Sequence, residues 1–353
     1  MRAVLRVAVD AANLARDRRG IGRLVRGVLT TAGDDERYAL TLLADKRRDA
    51  RALEAEFPGR PVRSTRSARR SGRYDVVWFP FNGMRYSVAP PSLVAINDAF
   101  AFTEPHRDAV ARFREQAPIR RAAREATRVV TISHWSRIEI ARALGLSVTR
   151  IDVIVPAPDP FWFSRPGDDE LPPALRGCRF ALVVGAREPR KNVRVALEAC
   201  ARALRGDREW LVVVGALADA DREFARARGV RAGEIAASDP CLRALYRHAA
   251  AVLVPSLAEG FGLVVVEAMA CGAPVIAADA AALPEAAGGA AMLLDPHDPA
   301  VWAGALRLLL DDANAAAALR ARSAARFASI DRRGPARAIL ALLEQLASDA
   351  RAR

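Results

Sequence analysis

Residues 251–279 read AVLVPSLAEGFGLVVVEAMACGAPVIAAD, and the order of residue types in this stretch decides the fold. A β-branched run, Ala251–Pro255, stops at a proline and runs into a loop carrying Gly260 and Gly262. An apolar helical stretch starts near Phe261, and Gly272 with Pro274 ends it before a second buried run, Pro274–Asp279. Strand, glycine loop, helix and strand in about 30 residues make a βαβ unit, whose strands must be parallel because only a crossover joins them. The same alternation recurs on both sides. Strands are expected at Leu5–Asp10, Tyr38–Ala44, Asp75–Pro80, Ser92–Asn97, Arg128–Ser133 and Ile151–Pro156 in the first half, and at Phe180–Gly185, Trp210–Gly215 and Ala291–Asp295 in the second, with helices between. The fold class expected is α/β: two Rossmann-like, doubly wound parallel-sheet domains facing across a cleft.

Between the two series lies PAPDPFWFSRPGDDELPP, residues 156–173, whose prolines lack a backbone donor and suit a boundary. The expected division is a first Rossmann-like domain over 1–163, a linker over 164–178, a second Rossmann-like domain over 179–330 and a C-terminal helix over 331–353 packing back toward the first domain. The helical tail from Val301 onward is expected to pack across both domains or to cap the second.

A chain of 353 residues with 52% hydrophobic and 27% charged residues is neither disordered nor fibrous. Cys178, Cys200, Cys241 and Cys271 form no C-x-x-C or zinc spacing, which predicts a reducing compartment. The opening apolar run is broken by Arg6 and ends at Asp10, too short for a signal core, and no run reaches the roughly 18 residues of a membrane span. A cytoplasmic protein is expected. The net charge is +13, and its placement is uneven: residues 1–160 hold 29 basic and 18 acidic side chains, the remainder 25 and 23. Arginine supplies nearly all of it, Lys46 and Lys191 being the only lysines. Runs such as Arg112, Arg114, Arg120, Arg121 and Arg124 suit a nucleic acid, an anionic bilayer, a phosphorylated acceptor, or simply a solvated face.

Three places carry chemistry. In the Glu259–Glu267 segment, the unpaired amides opening a helix beside glycine form a ready anion site. Glu259 and Glu267 flank that turn and are placed to accept hydroxyls of a sugar, although Glu259 also reads as a helix-start acid and Glu267 as a solvated one. The apolar neighbours of Glu267 weigh against solvation. In Gly185-Ala-Arg187-Glu-Pro-Arg-Lys191-Asn192, Asn192 is expected to N-cap a helix, Val193–Leu204, holding Arg187 and Lys191 at a strand's carboxyl end as two cations for one anion, or as surface cations. In the first half, Arg19-Gly20-Ile-Gly22-Arg23 precedes a helix expected over Leu24–Thr31, but G-x-G alone falls short of the dinucleotide fingerprint. Asn97 and Asp98 end one strand and His134 the next; the histidine reads as acid, base or capping donor. No H-E-x-x-H, C-x-x-C, G-x-S-x-G or Walker loop occurs, which excludes the common zinc-protease, serine-hydrolase and P-loop signatures.

With these residues in order (Val9-Asp10 before Gly20-Ile-Gly-Arg23, Val130-Thr-Ile-Ser133-His-Trp-Ser136, Arg187 with Lys191-Asn192, Glu259 to Glu267, and Leu283-Pro-Glu285), the chain resembles the retaining family-4 glycosyltransferases of the GT-B fold along nearly its whole length. The resemblance implies a metal-independent hexosyltransferase with no cofactor beyond its nucleotide-sugar donor, GDP-mannose first and a UDP-hexose second. Arg187 and Lys191 would bind the diphosphate, and the amides of Phe261, Gly262 and Leu263 the phosphate and sugar. Glu267 would bind the ribose and Glu259 a hexose hydroxyl, while Gly20 and Gly22 close over the donor. The acceptor implied is a lipid-linked or lipopolysaccharide glycan at the inner face of the plasma membrane, with no nucleic acid partner. Asn97 departs from the His-Asp common in such relatives, which leaves Asp98 or the leaving phosphate to take the acceptor's proton, or else implies a weakly active chain. Val264 stands where proline is common. The alternatives are a non-catalytic basic protein binding RNA or membrane on the same scaffold, and a sugar-nucleotide epimerase.

Overall fold

The computed structural model describes residues 4–17, 20–33, 35–105, 108–164 and 170–352. They form two compact units, Met1–Ala157 with Asp331–Arg353, and Pro158–Ile330. The first holds strands β1 (Leu5–Asp10), β2 (Tyr38–Leu43), β3 (Val62–Arg63), β4 (Val76–Phe79), β5 (Ser92–Ala95), β6 (Arg128–Thr131) and β7 (Ile151–Val153). The second holds β8 (Arg179–Val184), β9 (Glu209–Val214), β10 (Ala232–Ile235), β11 (Ala251–Val254), β12 (Val275–Ala278) and β13 (Met292–Leu294). Every pairing is parallel. The orders are β3-β2-β1-β4-β5-β6-β7 and β10-β9-β8-β11-β12-β13. Each sheet therefore winds outward in both directions from one pair, β1/β4 and β8/β11, and leaves a crevice beyond the carboxyl ends of that pair where ligands bind in such folds.

Sheets covered on both faces need strands that are apolar throughout, which is why β4, β11 and β12 read VVWF, AVLV and VIAA and are buried at every position. Two strands escape the sequence pattern. Val62–Arg63 is two residues long, and Ala232–Ile235 contains Gly233 and Glu234 at the sheet edge, so neither shows the β-branched run that marks a central strand. Several strands stop earlier than the sequence suggests. β5 ends at Ala95 rather than Asn97, so Asn97 and Asp98 stand in the loop beyond it. The first helix of the chain runs Ile21–Gly33, longer at both ends than Leu24–Thr31.

The crossing between units lies at Ala157/Pro158, ahead of the boundary read at residue 163. The reason is local. Pro160–Phe163 forms a 3-10 turn whose Trp162 is fully buried, edge-on to Tyr246 at 5.6 Å. Arg243 fastens this turn by donating to the Phe161 carbonyl and to Ser164 Oγ, both at 2.6 Å. Aromatic packing anchors what proline content marked as linker. The expected linker's residues 165–169 lie outside the described residues.

The tail divides. Helix Ala313–Ala328 belongs to the second unit, and helix Gly334–Arg351 lies in the first. There Ile339, Leu340, Leu343 and Leu346 join Val25, Leu29, Val76 and Trp78 in one core cluster. Polar contacts fix the ends: Tyr38 donates to Glu344, and Arg351 pairs with Asp75 at 3.2 Å. Leu343 is 1% exposed, so Leu343→Ala is expected to destabilise the first unit by about 3 kcal/mol through lost burial and a residual cavity. Urea unfolding measures this, and an unchanged midpoint would show that the helix contributes nothing to that core.

Candidate functional site

The β8/β11 switch point is where the second unit gathers its charges. β8 ends at Val184, and Gly185 at φ +78 turns the chain. A 3-10 turn, Pro189–Lys191, follows, with Asn192 in the left-handed region at φ 51 before helix Val193–Ala203. The Asn192 side chain makes no cap hydrogen bond to this helix. Its amide instead donates to the carbonyls of Pro255 (3.1 Å) and Pro296 (2.8 Å), tying the β8 loop to the ends of β11 and β13. Asparagine tolerates this backbone better than most residues because its short polar side chain bonds locally.

From this turn Lys191 Nζ donates to Glu259 Oε1 at 2.7 Å, and Arg190 Nη1 donates to Glu259 Oε2 at 3.0 Å. Arg190 also donates to the Ala258 carbonyl at 3.0 Å and to Glu188, and its own carbonyl accepts from Leu257 N at 2.8 Å. The three charged side chains are only 11–15% exposed. Burial raises the Glu259 pKa, but Lys191 and Arg190, with a hydrogen bond from Ser256, outweigh burial and hold the carboxyl below its ordinary value.

The partner of Lys191 in this cluster is Arg190, not Arg187. Arg187 is exposed and makes no ion pair among the described residues. The sequence named Arg187 because it follows the strand directly. The 3-10 turn of three residues per turn instead aims consecutive Arg190 and Lys191 at one carboxylate. The only sequence signal for Arg190 was its adjacency to Lys191.

Beyond Glu259, Phe261 is buried and Gly262 adopts φ +109, opening helix Leu263–Ala270 two residues later than the sequence suggested. A Cβ at Gly262 would stand 2.9 Å from Leu283 Cδ2, so both conformation and space require glycine there. The first amides of this helix have no intrahelical acceptor and a helix dipole behind them. Glu267, four residues after Leu263 and so on the same face, accepts from the phenol of buried Tyr246 at 3.3 Å. The second unit thus joins two cations and the Glu259 carboxylate beside a helix N-terminus at one strand end, an arrangement suited to a diphosphate, with Glu267 a further turn along that helix.

In the first unit, Gly20 adopts φ +54 and its carbonyl accepts from Arg23 N at 3.2 Å. Gly22 N donates to Asp17 Oδ2 at 3.0 Å, and a Cβ at Gly22 would lie 2.2 Å from the Asp17 carbonyl oxygen. The glycine loop is closed on an acid of its own chain. Arg19, read as part of this motif, lies outside the described residues. Asn97 is buried and its N–H donates to Asn82 Oδ1 at 2.6 Å, while Asp98 accepts from Phe100 N at 3.2 Å. His134 is exposed at the start of helix His134–Leu144, which Ser133 caps.

These features define a class: a two-unit α/β protein of GT-B fold with a cluster of paired cations and carboxylate at the second switch point. A search of solved structures agrees on the fold. WaaG, a glycosyltransferase involved in lipopolysaccharide biosynthesis, aligns over 95% of this chain and 98% of its own with TM-score 0.68 and 16% identity. Anabaena HepE in complex with UDP and glucose aligns over 99% and 100% with TM-score 0.66 and 16% identity. Residues 179–312 match the family model described as glycosyl transferases group 1. Among curated proteins, a D-inositol 3-phosphate glycosyltransferase of Catenulispora acidiphila is 36% identical over 217 residues, 56% of this chain and 52% of that protein. The O-antigen chain mannosyltransferase B of Escherichia coli is 32% identical over 244 residues, 63% and 62%. The matches thus span about half to three fifths of these relatives' length.

Because the folded pKa of Glu259 is depressed, its pairing stabilises above the unfolded carboxylate range and is lost as pH falls through the folded value. Glu259→Gln is expected to cost about 3 kcal/mol at pH 7, since it leaves two buried cations without their anion. The cost should shrink below about pH 4, where unfolded glutamate is protonated. Urea melts at pH 7 and pH 3.5 measure both, and a pH-independent difference would contradict the pairing.

Proposed function

We propose that the protein is a glycosyltransferase that moves a hexose from a nucleotide sugar to a glycan acceptor. The observation that carries this reading is the Lys191–Glu259–Arg190 cluster beside the Gly262-opened helix, within the stretch that matches glycosyl transferases group 1. The donor diphosphate would take Lys191 and the amides of Phe261, Gly262 and Leu263, with Arg187 free to swing onto its outer oxygens. Glu267 would hold the ribose and Glu259 a hexose hydroxyl. As the anomeric carbon parts from the phosphate oxygen, negative charge grows on the leaving group, and side-chain cations with fixed amides stabilise it without a metal. Asn97 has no proton to exchange. In the retaining course proposed, the acceptor oxygen bonds to the anomeric carbon on the face the phosphate leaves, and its proton passes to the departing phosphate oxygen.

Mannose from GDP-mannose is the first donor proposed, supported by the likeness to the O-antigen mannosyltransferase; a UDP-hexose is the second, supported by the UDP-bound structural neighbour. A lipid-linked or lipopolysaccharide acceptor fits a basic first unit. Helix Ala109–Glu125 exposes Val110 (57%) and Phe113 (71%) between arginines, a face that an anionic bilayer would cover. No helix among the described residues is long and apolar enough to cross a membrane.

Lys191→Ala and Glu267→Ala should each lower kcat/KM for hexose transfer by at least about 100-fold while the circular dichroism spectrum stays unchanged; normal turnover in both would refute the assignment. GDP and UDP, tested in turn, should raise the melting temperature for the base that the site accepts. Absence of any shift, together with salt-sensitive RNA retention, would favour the non-catalytic binding protein. Sedimentation with vesicles containing anionic phospholipid, compared with neutral ones, reads the membrane association, and equal recovery from both would remove it.

A further inference from the structure

Two helices of the first unit end at the same place. Ala109–Glu125 and Gly334–Arg351 both finish beside the amino ends of β5 and β6, at the opposite end of the sheet from the crevice beyond its carboxyl ends, and a cavity of about 540 Å³ lies there. That volume is of the size small-molecule sites occupy. Its walls are apolar: Val88, Pro90 and Pro91 lead into β5, and Leu342 and Leu346 come from the last helix. Two carboxylates, Glu125 and Asp349, also line it, each in the last turn of its helix. A helix carries its negative end there, so an acid in that position is opposed by its own helix while a cation is favoured. Two such ends and two such acids meet at one cavity.

Most donors that could answer these acids are missing or committed. Pro90 and Pro91 have no N–H. Ala89 N donates to the Ala68 carbonyl at 3.3 Å, Ser92 N to Thr127 Oγ1 at 3.0 Å and Thr127 N to Ser92 Oγ at 3.3 Å. Arg128, the one cation lining the cavity among the described residues, pairs with Asp152 at 2.9 Å. Arg351, in the same helical turn as Asp349, is held by Asp75 at 3.2 Å. Glu125 accepts from Ser87 Oγ at 2.6 Å and has Arg121 at 3.6 Å. Asp349 has no hydrogen bond or ion pair among the described residues.

We propose that this cavity binds a small organic cation, an aliphatic amine whose carbon chain lies along the proline and leucine walls and whose ammonium groups are met by Asp349 and Glu125. The class follows from complementarity. The cavity offers acceptors, two negative helix ends and apolar surface, and an ammonium on a carbon chain supplies donors, positive charge and apolar area at once. A chain of net charge +13 repels cations in general, so an amine that binds it needs a local acidic site such as this one. The site is independent of the transferase reading and of the donor residues in the second unit. Because the last helix forms one wall and also completes the core under it, occupancy stabilises the first unit by mass action.

The test uses the full chain, with spermidine and cadaverine as probes and hexanediol as the uncharged control, binding read by titration calorimetry and fold by melting temperature. At least one amine should bind saturably and raise the melting temperature, and hexanediol should do neither. Asp349→Asn should weaken that amine about tenfold without lowering the melting temperature of the ligand-free chain, because the carboxylate bonds nothing in the fold. Ala350→Trp, at an exposed helical position that lines the cavity, should fill it and abolish binding. Glu170→Gln removes one exposed charge from the second unit and should leave the affinity as it was. Failure of both amines to bind the wild-type chain would overturn the proposal, as would equal binding of hexanediol. Undiminished affinity in both Asp349→Asn and Ala350→Trp, or a loss in Glu170→Gln equal to that in Asp349→Asn, would assign the amine to the surface at large and overturn it too.

Discussion

A carboxylate buried at the end of a parallel strand must have its charge answered nearby, and the second unit is organised around that requirement. Glu259 stands at the carboxyl end of β11, where desolvation disfavours its charged form, and Lys191 with Arg190 reverse the balance from the end of β8. The two strands are neighbours only because the winding of the sheet reverses between them. The pair of cations therefore locks two loops whose residues lie some 68 positions apart, with Asn192 adding two carbonyl bonds from the same turn. Held this way, the loop delivers Gly262 and the helix start without a side chain in the path.

Both units answer positive groups with acids of their own chain. Lys191 has a carboxylate of its own chain to hold, and in the first unit Gly22 N likewise donates to Asp17. Own-chain acids occupy positive positions that an incoming phosphate would have to share or displace. Binding of an anionic ligand then carries the cost of loosening an internal pair, which favours a ligand with several contacts over a simple ion.

The first unit meets a different constraint. Its sheet needs a cover over β1, β4 and β5, and part of that cover is the last helix of the chain, Gly334–Arg351, packed on helix Ile21–Gly33. The unit is thus built from two stretches separated by the whole of the second unit, so its core is complete only once both have been made. Its surplus of arginine lies largely on exposed positions, including the helix that bears Phe113.

The sequence by itself determined the class of fold, because strands buried on both faces must be apolar at every position and the glycines and prolines between them mark the crossovers; VVWF, AVLV and VIAA could hardly be read otherwise. It also determined where charge and glycine meet after β8 and β11, since both motifs are local. Tertiary structure alone decided which residues touch. Arg190 rather than Arg187 meets Glu259, and Trp162 turns an apparent linker into core. Each of these depends on the order in which strands are laid side by side, and that order brings together residues separated by tens of positions, a relation that no local spacing encodes.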